Sequence, residues 1–190
     1  MADSAPAFSP VYPLDGVSGL PPSDQIELSV VPGLELVQLF ANRGKSSKLC
    51  KLLDIGRSPG RSSVHPEFTA LPLSPRQWML VSTASTHAEG LAAYVTNRIE
   101  NRGYVSEQSD SRVCIRLRGP MARRAMAKGC RLDLHPSSAG PGFCAQTVVA
   151  QVGVTIHQVD DLPTFDLLVY SGFARSFWDW IGEAAAEFTV

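Results

Sequence analysis

The sharpest alternation along the chain runs from Val148 to His157. Val148, Ala150, Val152, Val154 and Ile156 fall on one parity, and Val149, Gln151, Gly153, Thr155 and His157 on the other. A period of two marks a strand with one buried face, so one long strand is expected here. Asp160-Asp161-Leu162-Pro163 then reads as a turn, and Phe165, Leu167 and Val169 alternate again, which predicts an antiparallel hairpin. Upstream, Val113, Ile115 and Leu117 alternate with Cys114, Arg116 and Arg118. That strand is expected to bury its aliphatic set and show a cationic face. Further strands are predicted at 26–31 and 34–41, separated by the Pro32-Gly33 turn, and at 77–82.

Helical spacing takes over elsewhere. Thr86-His87-Ala88-Glu89 has the form of a capping box, followed by apolar residues at Ala88, Leu91, Val95 and Ile99. Gly119-Pro120 should open a helix of about two turns that Gly129 ends. The last helix, starting near Ser171 or Gly172, places Phe173, Phe177, Trp180, Ile181, Ala184 and Phe188 on one stripe. Trp178 lies at the stripe's edge, as an interface anchor or packed under the Asp160 loop. Strands interrupted by single helices predict an α+β domain over 25–190: an antiparallel or mixed sheet with helices packed on one face. Residues 1–24 are rich in Pro, Ser and Gly and should form an extended arm. Its interspersed Phe8, Val11, Tyr12 and Leu14 leave open whether it is disordered or orders on a partner.

Composition narrows the function classes. With 190 residues, 44% of them hydrophobic, the chain can bury a core, and a net charge of -1 gives no overall pull toward nucleic acid or an anionic membrane. Basic side chains are nevertheless concentrated between Arg112 and Arg131, where Arg116, Arg118, Arg123, Arg124 and Lys128 also lie and no acid does. This stretch is either a solvated face or a dock for an acidic partner surface; with no interleaved aromatics, it is a poor nucleic-acid site. No N-terminal signal or membrane-length apolar run is visible, so a cytoplasmic, membrane-free protein is expected.

Cys50, Cys114, Cys130 and Cys144 lie far apart, which suggests reduced structural thiols. Cys130, Asp133, His135 and Cys144 have zinc-ligand chemistry, but the second cysteine lies across a Ser/Gly/Pro loop, so buried or capping roles are expected for them. His87 and His157 have no evident partner for acid-base work. The Gly-rich run from Gly56 to Ser63 lacks the strand, the Lys-Ser/Thr and the helix of a phosphate cradle.

The segment from Ser111 to Pro120, the run Met126-Ala127-Lys128-Gly129-Cys130-Arg131-Leu132-Asp133-Leu134-His135-Pro136, then Gly142-Phe143-Cys144-Ala145-Gln146-Thr147, Pro163 to Val169 and Phe177-Trp178-Asp179-Trp180-Ile181 together resemble the gamma subunit of heterotetrameric sarcosine oxidase. The likeness covers roughly residues 71–188, and Gly-Cys-x-Leu-Asp-Leu-His-Pro is its most specific part. The resemblance implies a fold like part of the folate-binding aminomethyltransferase of glycine cleavage. It also implies a subunit without catalytic residues, cofactor or metal of its own. FAD, FMN, NAD and tetrahydrofolate would sit in large alpha-type and mid-sized beta-type partners, and zinc in a small delta-type partner, the assembly demethylating an N-methyl amine. The residues then expected to meet those partners are Phe8, Tyr12, Arg112, Arg116, Arg118, Arg123, Arg124 and Trp178.

Overall fold

The computed structural model describes residues 12–83 and 89–189. Among these residues, ten strands, numbered along the chain, form two antiparallel five-stranded sheets. The first runs in the order β1 (Glu27–Val31), β7 (Arg112–Arg118), β10 (Thr164–Tyr170), β9 (Val152–Asp160), β8 (Cys144–Val149). The second runs β3 (Ser63–Val64), β4 (Thr69–Ser74), β5 (Gln77–Ser82), β2 (Glu35–Ala41), β6 (Gly103–Glu107). Among the described residues four α-helices accompany them: α1 (Ser46–Leu53), α2 (Gly90–Arg98), α3 (Ala122–Ala127) and α4 (Ala174–Ala186).

The parity of each strand explains the layering. Val113, Ile115 and Leu117 of β7, with Phe165, Leu167 and Val169 of β10, share a core with Met126 of α3 and Phe177, Trp178 and Ile181 of α4. Val37 and Leu39 of β2, with Trp78 and Leu80 of β5, pack with Leu49 of α1 and Leu91 and Val95 of α2. The opposite parities meet one another: Leu36, Leu71 and Met79 of the second sheet lie with Cys114, Cys144 and Leu168 of the first. The result is helices, sheet, sheet, helices, two sheets face to face where the sequence predicted a single sheet.

Several expectations change accordingly. The long strand predicted at 148–157 is a hairpin, because Ala150 and Gln151 take φ of 47° and 68° and turn the chain between Val149 and Val152. Two consecutive left-handed residues make a type I′ turn, and neither is the Asn or Gly that would announce it. The hairpin of β9 and β10, the strand at 77–82 and the short helix before Gly129 lie where they were expected. Strands β1 and β2, read on either side of Pro32-Gly33, belong to different sheets. Elements α1, β3, β4 and β6 were not anticipated; each is short or lacks an alternating apolar set.

In α4 the buried residues are Ala174, Phe177, Trp178, Ile181, Ala184 and Ala185, so the buried face is rotated from the predicted stripe. Phe173 is 55% exposed. Thr86, His87 and Ala88 of the expected capping box lie outside the described residues; Glu89 precedes α2 without a side-chain cap, and the Leu91 N–H donates to Glu35 Oε2 at 2.7 Å instead. That carboxylate caps the first turn from a neighbouring strand. Of the expected arm, 12–24 holds no helix or strand and lies on its own chain: Leu14 is buried in the helix-side core, and Ser23 Oγ donates to the Phe188 carbonyl.

Candidate docking surface and inter-sheet cleft

The basic residues between Arg112 and Arg131 do not form one patch, because strand parity and helix rotation send them to different layers. Arg118, Arg124, Lys128 and Arg131 are exposed. Arg124 lies over the Phe188 ring, its guanidinium carbon 5.2 Å from the centroid, and Lys128 pairs with Glu187 at 2.6 Å. Arg123 donates to the Leu134 carbonyl and sits 5.5 Å over the Phe165 ring, half-buried; burial draws its guanidinium below the ordinary value. Of the predicted cationic face of β7, Arg118 is exposed as expected, whereas Cys114 is buried and Arg116 half-buried. Cys114 and Arg116 point toward the second sheet, whose stacking the strand's own alternation could not reveal.

Arg116 ends in the space between the sheets. It stands opposite Asp166 in the β7–β10 register, and Nε and Nη2 donate to Oδ1 and Oδ2 at 2.7 and 2.8 Å. This bidentate pair holds the guanidinium above its ordinary value. Both line a cleft of about 370 Å³ with His157, Val159, His65, Glu67, Phe68 and Val81. Ser62 Oγ lies 3.2 Å from His157 Nε2. Burial pushes the His157 pKa down, Asp166 opposing and Arg116 adding to the shift, so the imidazole is neutral over most of the physiological range. A serine beside a neutral histidine is the beginning of a nucleophilic pair, yet both carboxylate oxygens of Asp166 are taken by Arg116 and do not orient the imidazole. The contact ties β9 to the loop before β3.

Arg112 is a different case. It is only 5% exposed, yet Nη2 donates to the Tyr170 hydroxyl at 2.9 Å, its guanidinium carbon lies 4.1 Å over that ring, and Nε has no hydrogen-bond partner among the described residues. Burial lowers its pKa, countered only by Tyr170. It lines a recess of about 540 Å³ with Tyr12, Pro13, Ser109, Asp110, Val113 and Ser171. Tyr12 is 38% exposed at this recess.

Trp178 is 5% exposed, packed in the core beneath α4, and cannot serve as a surface anchor in this chain. Phe8 lies outside the described residues. The four thiols are free and buried; burial raises each of them, Cys144 to about 11. Cys130 belongs to the helix-side core and Cys144 to the inter-sheet layer. Between them, Asp133 accepts from Ser138 Oγ at 2.6 Å and the His135 N–H at 2.9 Å, bonds that hold its carboxyl below the usual range. Asp133 and His135 thereby shape a turn. Asp166 and Tyr170, the partners of the two buried arginines, were not singled out from the sequence. Aligning β10 against β7 would have found both, since Asp166 faces Arg116 and Tyr170 faces Arg112.

Among the described residues no helix is long and apolar enough to cross a membrane, and no group of three or more His, Cys, Asp or Glu is placed to hold a metal ion.

Comparison with known proteins supplies what the geometry alone does not. The profile of the sarcosine oxidase gamma subunit family matches residues 64–187. The chain is 27% identical over 116 residues to the sarcosine oxidase subunit gamma of Corynebacterium sp. (strain P-1), covering 61% of this chain and 56% of that one. It is 27% identical over 88 residues to the corresponding protein of Corynebacterium sp. (strain U-96), covering 46% and 42%. The match therefore spans about half the length of these relatives. Among solved structures, a chain of the heterotetrameric sarcosine oxidase from Corynebacterium sp. U-96 superposes with a TM-score of 0.79 at 21% identity, over 90% of this chain and 89% of that one. Aminomethyltransferase T of the glycine cleavage system from Bartonella henselae gives 0.62 at 16% identity, over 86% of this chain but 50% of the enzyme. The fold is shared with both.

Proposed function

This chain belongs to the sarcosine oxidase gamma subunit family, and on that premise we propose that it is a non-catalytic, assembly-type subunit of a heterotetrameric, flavin-dependent oxidase or demethylase of sarcosine or a related N-methyl amine. The match of the family profile over 64–187 carries the reading. The partners are a large alpha-type and a mid-sized beta-type flavoprotein, which hold FAD, FMN, NAD and the tetrahydrofolate site, and a small zinc-binding delta-type chain, in the cytoplasm. On this chain the docking surface comprises Tyr12 and the recess over Arg112, and the exposed Arg118, at the other end of β7, and Arg124, on α3, are further charged contacts. A mixture of arginine and tyrosine around a recess suits such a role.

The half-length likeness to aminomethyltransferase T supports the fold and not a free-standing folate transferase, since fold kinship does not carry function. The test is affinity purification of the full chain at native expression, with an absorbance spectrum of the eluate. Co-elution of larger partners with a flavin spectrum and amine-dependent turnover is the expected result. A lone, colourless chain that binds tetrahydrofolate saturably would overturn the proposal.

A further inference from the structure

A cation removed from water normally carries its counter-ion with it, because burying an unpaired charge costs far more than hydrogen bonds to neutral groups return. Arg116 obeys this rule through Asp166. Arg112, on the same strand and the same face, does not: 5% exposed, it holds one neutral hydroxyl and one aromatic face, and among the described residues no carboxylate acts on its charge. Its Nε, buried, has no hydrogen-bond partner among the described residues. Asp110, on the rim of the same recess, is exposed and makes no ion pair with it.

The recess that reaches this guanidinium, about 540 Å³, is wide enough for an acidic side chain and the backbone that carries it. Its mouth is formed by the exposed Tyr12 ring and by Ser109 and Ser171, whose hydroxyls donate to Glu107 Oε1 at 3.4 Å and to the Asp110 carbonyl at 3.0 Å. Two exposed aromatics, Tyr170 at 46% and Phe173 at 55%, flank Ser171 in the chain. A buried, fork-shaped donor under an aromatic and hydroxyl rim is built for a carboxylate presented on a protein surface, with apolar neighbours to cover the rings.

We infer that the Arg112 recess receives an Asp or Glu side chain of a partner subunit, which completes the charge that the described residues leave unpaired. The inference rests on the subunit reading and specifies how the chain docks. It gives Arg112 two effects of opposite sign: a burden on the isolated chain and an anchor in the complex.

Arg112→Met keeps the volume and removes the charge. The full-length variant on its own is expected to melt no lower than the wild type, while its affinity for the purified partner subunits falls about thirtyfold or more, the range for losing one member of a buried charge pair. Arg112→Lys should recover part of that affinity. Unchanged partner affinity in Arg112→Met, with the wild type still co-purifying, overturns the inference and spares the subunit reading; a wild-type chain that captures no partner overturns both. Should Arg112→Met not fold, the exposed Tyr12→Ala decides, several-fold weaker binding being expected and unchanged binding fatal. Millimolar acetate that raises the melting temperature of the wild type but not of Arg112→Met, with partner affinity unaltered, would assign the recess to a free carboxylate and overturn the docking role. Deletion of residues 1–11 that lowers the melting temperature only while Arg112 is present would place the chain's own arm there, with the same consequence.

Discussion

Arg116, Asp166 and His157 form a small electrostatic unit whose behaviour follows from their contacts. Removing the guanidinium with Arg116→Ala leaves a half-buried carboxylate without its partner, which should cost about 1–3 kcal/mol in urea unfolding. The same change removes the cation that depresses His157 and leaves Asp166, which raises it, so the imidazole pKa followed by NMR should climb. In the wild type the His157 pKa lies below its ordinary value of 6.5, so the unfolded chain binds more protons than the folded one in the window beneath 6.5. Stability from this residue is therefore complete above that value and is lost as pH falls through the folded pKa. Comparing His157→Gln with the wild type across that window should show a shallower loss on acidification in the variant; equal slopes would remove His157 from the account. Gly129 is a steric matter: a Cβ there would lie 2.4 Å from Trp180 Cζ2, so Gly129→Ala should lower stability by about 1–3 kcal/mol by thermal melting.

At the scale of elements, the β8–β9 hairpin is where local sequence and local conformation disagree. Ala150 and Gln151 occupy left-handed backbone, at φ of 47° and 68°, that Asn and Gly adopt with less strain. Replacing them together by Asn and Gly should raise the urea midpoint by an amount worth about 1 kcal/mol, with the Val149–Val152 pairing unchanged in hydrogen exchange. A loss of stability would mean that the turn is held by contacts the new residues break. The hairpin of β9 and β10 shows the opposite situation, since Asp160 Oδ1 accepts from the Leu162 and Thr164 N–H groups and Oδ2 from the Thr164 hydroxyl, a turn legible in the sequence. Strand β7 was legible in its period and misjudged in its exposure. Val113, Ile115 and Leu117 lie in the helix-side core as expected, while Cys114 and Arg112 are as buried on the other side.

For the whole molecule, the layer shared by the two sheets is the joint that makes one folding unit of them. Met79 is fully buried there, so Met79→Ala should cost about 2–5 kcal/mol, and circular dichroism and tryptophan fluorescence should still report one coincident transition. Separate transitions would mean that each sheet folds with its own helices. The sequence by itself determined the α+β class, the parity of the strands, the last hairpin, the place of α4, and, through its family likeness, the kind of assembly to look for. Those properties are written in residues close along the chain, where period and turn chemistry act. Only the tertiary structure decided that there are two sheets, that Cys114 and Arg116 of β7 turn inward, that Trp178 is buried, and that among the described residues Arg116 has a carboxylate and Arg112 does not. The physical reason is that alternation records which parity is apolar, whereas the fate of the other parity depends on what is stacked against it. Here that is a sheet built from residues far away in sequence, and two polar groups opposite in register, Asp166 and Tyr170, make the burial of arginine tolerable.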